Sequence, residues 1–364
     1  MEKKQILFQF VGDILHTPES LDFLAKISPP ESHPNYDYLF EHILSHFQGE
    51  TKPDFICGNF EMPILPSLPP GMQTIYKEDE DDDFYYFNGH QNYLLSLQKL
   101  GFNVLQTSNN HAFDQGKEGV ISTVSFLEKC GIPYTGTSKI PGEFAYVKTT
   151  QSGLKVAFLA FAEFLNGGNQ QNEDKSPNIN MIPLQLESDL DESKLAQKIK
   201  FQIQEVKNRH SPDVFVVLPH WGEEYAPLPD EEYRQQGKFL IESGADLVIG
   251  THPHILQPYE IVNCEGRSGL ICYSMGNFTS GWAQEEGNNY SAVLRVVVTL
   301  GNQNDPKLSF EKLSFIPIFE HPKTFQLYFA EQVLKEEGGK KTELSEMAKN
   351  CIDSMNKRLF QLTK

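Results

Sequence analysis

Residues 6–16 read ILFQFVGDILH, an apolar run that stops at a glycine and an aspartate. A short run with apolar residues on both faces is typical of a strand that is covered on both sides, as in α/β proteins. In open α/β sheets, ligands bind at the loops that follow the carboxyl ends of the strands. Asp13 and His16 are therefore the first candidate site residues.

Similar apolar runs follow, with helical patterns between them. They predict strands at residues 54–57, 104–107, 156–161, 214–218, 247–249, 269–274, 291–300 and 308–316. Apolar residues at steps of three or four predict helices at residues 36–47, 120–127, 195–206 and 344–355. The alternation of the two patterns predicts an α/β fold.

Two stretches show neither pattern. Residues 63–83 contain several Pro and Gly residues and end in the acidic run 78–83, and residues 166–177 are rich in Asn, Gln and Gly. Both are expected to be surface loops. The acidic run could bind calcium or a cationic partner, but its spacing matches no EF-hand loop, so a solvated loop is favoured.

Charge limits the possible partners. The 364 residues include 31 Lys and Arg against 49 Asp and Glu, a net charge of −18. Such a field repels a nucleic-acid backbone and an anionic membrane surface. No nucleic-acid partner is therefore expected. An anionic substrate, small molecule or polymer, stays compatible with this charge if bound divalent metals reverse the local potential.

Three features of the sequence indicate the cellular compartment of the protein. The five cysteines are odd in number and form no C-x-x-C pair, which predicts free and mostly buried thiols. No signal peptide is recognisable, and no run of about 18 apolar residues could span a membrane. The expected location is the cytoplasm if residue 1 is the natural start; a removed membrane anchor is the alternative. The sequence does not indicate an oligomeric state.

Side chains that can bind metals follow the predicted strands one after another. They occur in Gly12-Asp13, Gly58-Asn59-Phe60-Glu61, Asn109-Asn110-His111 with Asp114, His220-Trp221-Gly222 with Glu224-Tyr225, His252-Pro253-His254, and Ser274-Met275-Gly276-Asn277. Singly, each could be a helix cap, a turn or a hydrogen-bonded core residue. The repetition at successive strand ends favours a metal site. Its mixture of carboxylate, amide and imidazole suits Mn²⁺, Fe or Zn²⁺ and is too rich in nitrogen for a calcium site.

This ordered set resembles the CapA/PgsA (PGA_cap) family, from about residue 5 to 320. Members of that family are associated with bacterial poly-γ-glutamate capsule synthesis and belong to the calcineurin-like metallophosphoesterase superfamily. The resemblance implies a four-layer αββα sandwich with two mixed sheets. It also implies a CapA-like metallophosphoesterase-like domain at residues 1–320, followed by a C-terminal helical extension at 321–364.

The resemblance also implies a dinuclear centre with two divalent metal ions (Mn, Fe or Zn). The implied metal ligands are Asp13, the bridging Glu61, Asn110, His220, His252 and His254. The implied general acid is His111, held by Asp114, which protonates a leaving oxygen. The candidate substrate-binding residues are His16, Asn59, Glu224, Tyr225 and Asn277.

Two departures from the superfamily pattern affect the first metal position. Its phosphatases have His two residues after the first Asp, where this chain has Leu15 with His16 one position later. Glu61 stands where they have Asp, with Asn59 two residues before it. The first metal site could be weaker, differently shaped or completed by His16. Phosphatase activity is therefore in doubt, although Leu and Glu at these positions are typical of the CapA group.

Three interpretations of function remain. The first is a metal-dependent hydrolase that acts on a phosphoester or another anionic substrate. The second is an accessory protein of capsule biosynthesis or export that binds poly-γ-glutamate without turnover, and the third is a fold that has lost its metals. The pair His111 and Asp114 favours the hydrolase, because a site that only binds needs no proton donor.

Overall fold

The computed structural model describes most of the chain. The described residues are 4–29, 33–47, 49, 52–75, 84–140, 142–166, 178–182, 192–264, 266–282, 287–302 and 305–360. None of the helices in these ranges is long and apolar enough to cross a membrane.

The first sheet contains β1, which is buried along most of its length and was the first strand predicted. In spatial order its strands are β16 (Leu327–Phe329), β15 (Asp305–Glu320), β14 (Tyr290–Asn302), β1 (Lys4–Ile14), β2 (Phe55–Phe60), β5 (Val104–Gln106) and β6 (Tyr134–Thr135). The strands β1, β2, β5 and β6 run parallel, whereas β14 pairs antiparallel to β1. A further short strand, β13 (Asn277–Thr279), pairs with the carboxyl end of β1.

The second sheet is also mixed. Its strands, in spatial order, are β11 (Tyr259–Cys264), β12 (Arg267–Cys272), β10 (Leu247–Ile249), β9 (Val214–His220), β8 (Lys155–Ala162) and β7 (Ala145–Thr149). The four central strands run parallel, and the two edge strands pair antiparallel to them.

Apolar side chains from both sheets meet in a core between them. The rings of Phe8 and Phe55 stack at 5.3 Å, and Phe158 of the second sheet meets Phe55 edge-on at 5.0 Å. Val216 and Leu270 join them and are fully buried. Burial of one such side chain contributes about 1.5–3 kcal/mol, so this core holds the two sheets face to face.

Helices cover the outer faces. The first sheet carries α1 (Pro18–Ile27), a 3₁₀ helix (Tyr36–Phe40), α2 (Leu44–Phe47), α3 (Gln91–Leu100) and α4 (Gly116–Cys130). The second sheet carries α5 (Glu192–His210) and α6 (Glu231–Ser243). Helices, two sheets and helices form four layers, so the predicted αββα sandwich with two mixed sheets is confirmed.

The chain after residue 320 packs against the same molecule. The strand β16 extends the first sheet, and α7 (Ala330–Glu337) and α8 (Glu343–Leu359) lie on it. Helix α8 begins at a capping box, in which Thr342 and Ser345 each accept a hydrogen bond from the other's backbone N–H. The domain boundary at residue 320 stays a prediction.

Local predictions need some corrections. Residues 63–83 are not irregular throughout, because β3 (Gly71–Ile75) forms a hairpin with β4 (Phe84–Asn88). The helix predicted at 36–47 divides into the 3₁₀ helix and α2, since a three-residue apolar step suits either kind of helix. The acidic run 78–83 and residues 167–177 lie outside the described residues.

The cysteine prediction agrees with the structure. All five cysteines are free, and Cys57, Cys272 and Cys351 are buried. Burial raises the pKa of each of these three thiols, so they stay protonated and behave as small apolar residues.

Candidate metal centre

The position of Asp13 is fixed by the backbone at the end of β1. Its N–H donates to the carbonyl of Gly276 at 2.9 Å. A Cβ atom on Gly12 would lie 1.6 Å from that same oxygen, so only glycine allows the two segments to approach this closely. The carboxylate of Asp13 is completely buried at the junction of β1 and β13.

Asn59 lies at the centre of the oxygen-rich part of the site. Its Nδ2 donates to Asp13 Oδ1 at 2.8 Å and to Glu61 Oε2 at 3.3 Å. Its Oδ1 accepts from Asn109 Nδ2 at 3.0 Å. Asn59, predicted to bind substrate, is thus fully buried and holds the two carboxylates in place.

Glu61, Asn110 and His220 form one compact group. His220 Nε2 lies 2.9 Å from Asn110 Oδ1 and 3.3 Å from Glu61 Oε1. On its other side, His220 Nδ1 lies 3.1 Å from Thr251 Oγ1, which orients the ring. Glu61 and Asn110 follow β2 and β5 of the first sheet, and His220 is the last residue of β9 in the second, so the group exists only because the two sheets are docked.

His252 and His254 reach the same place from the loop after β10. Both have positive φ angles, 105° for His252 and 59° for His254, which non-glycine residues rarely adopt. His254 Nδ1 lies 2.9 Å from Asn277 Oδ1 and 3.3 Å from Asp13 Oδ2. Backbone strain of this kind is typical of functional sites.

Burial sets the protonation of these groups. Burial raises the pKa of Glu61 well above its usual range, and the nearby Asp13 carboxylate adds to the effect. Burial likewise lowers the pKa of His220 and His252 well below the usual range. At His254 burial is also the largest influence and lowers the pKa. The hydrogen bond and charge of Asp13, with smaller effects of Glu224 and Asn277, together outweigh burial, and the pKa is raised.

The donor set fits divalent metal ions. Two groups of side chains have ligand atoms within 4.8 Å of one another, Asp13 with Glu61 and His220, and Glu61 with His252 and His254. Ligands around one ion at 2.0–2.2 Å lie about 3.0–3.5 Å apart. The contacts of His220 Nε2, at 2.9 and 3.3 Å, are close to this range, whereas His254 Nε2 lies 4.0 Å from Glu61 Oε1. Glu61 Oε1 and His252 Nδ1 are buried and have no hydrogen-bond partner in the part of the chain that the structure describes, as expected of atoms that serve an ion.

His111 lies beside the candidate metal ligands and is held by Asp114. These ligands form one cluster of six residues: Asp13, Glu61, Asn110, His220, His252 and His254. The two side chains are joined at 2.7 Å between His111 Nδ1 and Asp114 Oδ2, and the ring meets Phe87 edge-on at 4.5 Å. Burial raises the pKa of Asp114, against the opposing effect of His111. Asp114 Oδ2 also accepts from the N–H of Phe87 at 2.7 Å, which fixes the carboxylate.

Asn166 is a site residue that the sequence did not indicate. Its Oδ1 accepts from Asn110 Nδ2 at 3.2 Å, and its Nδ2 lies 3.2–3.3 Å from the two ring nitrogens of His111. Asn166 therefore links a predicted metal ligand to the predicted general acid. The resulting orientation of Asn110 points its Oδ1 toward His220.

His16 lies outside the two groups of candidate metal ligands. It is 2% exposed, and its ring stacks with those of Tyr36 and Tyr93 at 6.3 Å each. It belongs to neither group of ligand atoms. Burial lowers the pKa of His16 to about 4, so its ring is neutral at physiological pH.

Glu224, Tyr225 and Asn277, the remaining predicted substrate-binding residues, line one cavity next to the cluster. Its volume is about 70 Å³, and His111 and His254 form part of its wall. The structure therefore brings together twelve of the thirteen predicted residues directly or through this cavity. Asn59 is enclosed beneath the carboxylates, and His16 lies apart.

The four-layer α/β sandwich carries a buried cluster of candidate metal ligands at its strand ends, so the protein is an α/β protein with a candidate metal centre. The family described as "Bacterial capsule synthesis protein PGA_cap" matches residues 8–281, and the chain belongs to this family. The predicted family is thereby confirmed.

Two relatives carry related names. The chain is 25% identical over 321 residues to "Capsule biosynthesis protein CapA" of Bacillus anthracis, covering 84% of this chain and 70% of the relative. It is 27% identical over 281 residues to "PGA biosynthesis protein CapA" of Bacillus subtilis (strain 168), covering 76% of this chain and 64% of the relative. The chain thus spans about two thirds of the length of each.

Among solved structures, the chain is similar to the crystal structure of TT1561 of Thermus thermophilus. The TM-score is 0.39 at 8% sequence identity, over 84% of this chain and 98% of that chain.

Proposed function

We propose that this protein is a hydrolase that depends on two divalent metal ions and cleaves a phosphoester or another anionic substrate. The observation that carries the proposal is the shared position of Glu61 in both ligand groups, beside the hydrogen-bonded pair of His111 and Asp114. Two groups that share one carboxylate are the arrangement expected of a bridged pair of ions.

The residues that would hold the ions are Asp13, Glu61, Asn110, His220, His252 and His254. Bound there, divalent ions (Mn, Fe or Zn) would clamp the anionic group and supply a water nucleophile at neutral pH. Asn59 would keep Asp13 and Glu61 apart through the hydrogen bonds described above. The buried carboxylates would then be ionised, because a cation offsets the desolvation that raises the pKa of Glu61.

The role of His111 would be to donate a proton to the leaving oxygen as its bond to phosphorus breaks. Water would add to the phosphorus and release one proton to solvent, and the leaving oxygen would take the proton of His111. Solvent would then return one proton to His111, so the cycle closes with no net gain or loss of protons. Asp114 would stabilise the protonated ring through the 2.7 Å contact. A positioned acid of this kind contributes about 10²- to 10⁴-fold in rate.

A second candidate function is supported by the names of the relatives. Both are described as biosynthesis proteins of a capsule or of PGA. In that case the chain would be an accessory protein that binds poly-γ-glutamate without turnover, and the ions would hold carboxylates of the polymer. The hydrolase is favoured because a binding site needs no His111–Asp114 pair.

Metal analysis and a substrate screen distinguish the two functions. Protein purified without added metal would be reconstituted with Mn²⁺, Fe²⁺ or Zn²⁺, and roughly two ions per chain are expected. His220→Ala should lower that number, whereas His210→Ala at the end of α5 should not. A stoichiometry near zero in the wild type would refute the metal centre.

The screen would offer phosphomonoesters, phosphodiesters and γ-glutamyl peptides. Turnover of a phosphoester supports the hydrolase proposal. Binding of poly-γ-glutamate without turnover of any of these compounds would replace it with the accessory function.

A further inference from the structure

The cavity beside the ligand cluster has room for one small group. A water molecule needs about 10–15 Å³ of cavity volume measured in this way, so 70 Å³ corresponds to roughly five to seven waters. That space suits one small planar ring system and is too small for a segment of polymer. Because His111 and His254 form one wall, a ring bound here would be attached to a group that lies over the cluster.

Aromatic side chains form another part of the lining. Tyr85 and Trp282 meet edge-to-face at 5.6 Å, and both rings are partly exposed. Phe87 and Leu15 complete the apolar part of the lining. Partly exposed aromatic rings favour a flat, unsaturated ring as ligand, because stacked and edge-on contacts add to the burial of apolar surface.

Asn288 supplies the polar part of the recognition. Asn288 lines the cavity and its side chain is completely buried, yet both Nδ2 and Oδ1 lack a hydrogen-bond partner among the described residues. The backbone carbonyl of Asn288 is occupied, since it accepts from Asn277 Nδ2 at 3.0 Å. A buried donor and a buried acceptor side by side are unfavourable unless a ligand satisfies both.

Charge restricts the ligand further. Among the described residues that line the cavity, the only titratable ones besides tyrosine are His111, His254 and Glu224, and there is no Lys or Arg. A chain of phosphates or carboxylates would find no fixed positive charge here and would face Glu224. A neutral ring joined to a single anionic group at the cluster meets neither problem.

We propose that this cavity is a nucleobase subsite, formed by Asn288, Tyr85 and Trp282, and that the substrate of the cluster is a nucleoside monophosphate. An Asn side chain pairs with the adjacent donor and acceptor of adenine through two hydrogen bonds. The base-binding part stands on the cavity alone, and the phosphate-binding part rests on the proposed function.

Adenosine tests the subsite without any catalytic step. Trp221 and Trp282 are the two tryptophans, and Trp221 is buried, so a base that stacks at the cavity should quench the fluorescence of Trp282. Saturable quenching by adenosine and AMP, with none by ribose 5-phosphate or glucose, is expected. Absence of adenosine binding up to millimolar concentrations, or equal quenching by glucose, would overturn the proposal.

Variants locate the interaction. Asn288→Ala should weaken adenosine binding in calorimetric titrations by roughly 5- to 150-fold, the usual value of a bidentate pair with a base. Its thermal unfolding without ligand should be unchanged or improved, because two unsatisfied atoms are removed. Asn288→Asp, which keeps the size but loses the Nδ2 donor, should also weaken binding, whereas Asn263→Ala in the distant β11–β12 hairpin should not.

The outcomes separate this proposal from the proposed function. If adenosine binds as described but AMP is not hydrolysed, the base subsite stands and the hydrolase proposal fails. Hydrolysis of other phosphoesters by a protein that does not bind adenosine would leave the hydrolase intact and overturn the base subsite. Wild-type affinity for adenosine in both Asn288 variants would also overturn it.

Discussion

The two sheets contribute different chemistry to the cluster. The first sheet supplies oxygen atoms, from Asp13, Glu61 and Asn110, and the second supplies the ring nitrogens of His220, His252 and His254. Burial acts on both sets by disfavouring their charged forms, which raises the pKa of Glu61 and lowers those of His220 and His252. Each candidate ligand group takes residues from both sheets, so only the docked sheets combine the mixed donor set that a transition-metal ion would require.

The largest effect on metal content is expected from Glu61, the carboxylate that belongs to both groups of candidate metal ligands. Glu61→Gln keeps the size of the side chain but removes the charge that both ions would share, so we expect the metal content to fall from about two ions per chain to near zero. His220→Ala, which removes one of the ring nitrogens of the second sheet, should lower the metal content by about one ion per chain. Metal analysis after reconstitution measures both. Equal losses in the two variants would contradict a shared position for Glu61.

The next largest effect is expected on turnover, from loss of the proton donor assigned to His111. His111→Ala should retain the metal content and the fold but lower turnover by about 10²- to 10⁴-fold. Asp114→Asn should give a smaller loss, because the ring stays in place but its partner no longer carries a charge. Steady-state kinetics on a substrate found in the screen measures this. Unchanged turnover in His111→Ala would remove the assigned role.

His16 offers a contrast with the histidines of the cluster, because aromatic rings rather than ligand atoms surround it. Burial lowers its pKa from 6.5 to about 4, so the fold favours the neutral ring. The contribution of the neutral His16 ring to the free energy of unfolding is fully present above pH 6.5 and is lost as the pH falls toward 4. At pH 5 the loss should be roughly 2 kcal/mol.

Urea unfolding at pH 8 and pH 5 measures this loss, with metal-free protein used throughout. His16→Phe, which preserves an aromatic ring and cannot titrate, should lose about 2 kcal/mol less than the wild type between the two pH values. An identical pH dependence in both proteins would show that His16 is not held neutral. A lower metal content in His16→Phe would instead indicate that His16 completes the first metal site.

The smallest effect is expected at Asn166, which bridges Asn110 and His111. Asn166→Ala should lower kcat by about 2- to 10-fold, the usual value of one hydrogen bond. The double variant with His111→Ala should show little further loss, because Asn166 acts partly through that ring. Fully multiplicative effects would mean that Asn166 acts independently of His111.

The ligand series could be predicted because every member follows a strand that the apolar pattern reveals. Asp13, Glu61 and His220 each end a buried run, and parallel strands bring such ends to one edge of a sheet. The same apolar pattern predicted an α/β fold, because strands apolar on both faces must be covered on both sides. The four layers were implied by the resemblance to the CapA/PgsA family. The hairpin of β3 and β4 was missed because Pro and Gly residues precede it and β3 is only five residues long.

Asn166 and Asn288 could not be predicted for a different reason. Each lies in a stretch without periodicity, where Asn is ordinarily a turn residue. Asn166 becomes a site residue only through its contacts with Asn110 and His111, which are 55–56 residues away in the chain. Asn288 is distinguished by the absence of partners for its buried amide among the described residues, a property that only atomic positions reveal.

The order in which a ribosome produces these strands has a consequence for the folding of β1. Strands β1 and β2 are complete by residue 60, but β14, which covers the other edge of β1, begins only at Tyr290. Until then the open edge of an apolar strand can pair with other chains. Chains that stop before residue 290 are therefore expected to aggregate. The contact between Asp13 and His252 spans 239 residues, so on the ribosome the ligand-binding edge closes late in synthesis.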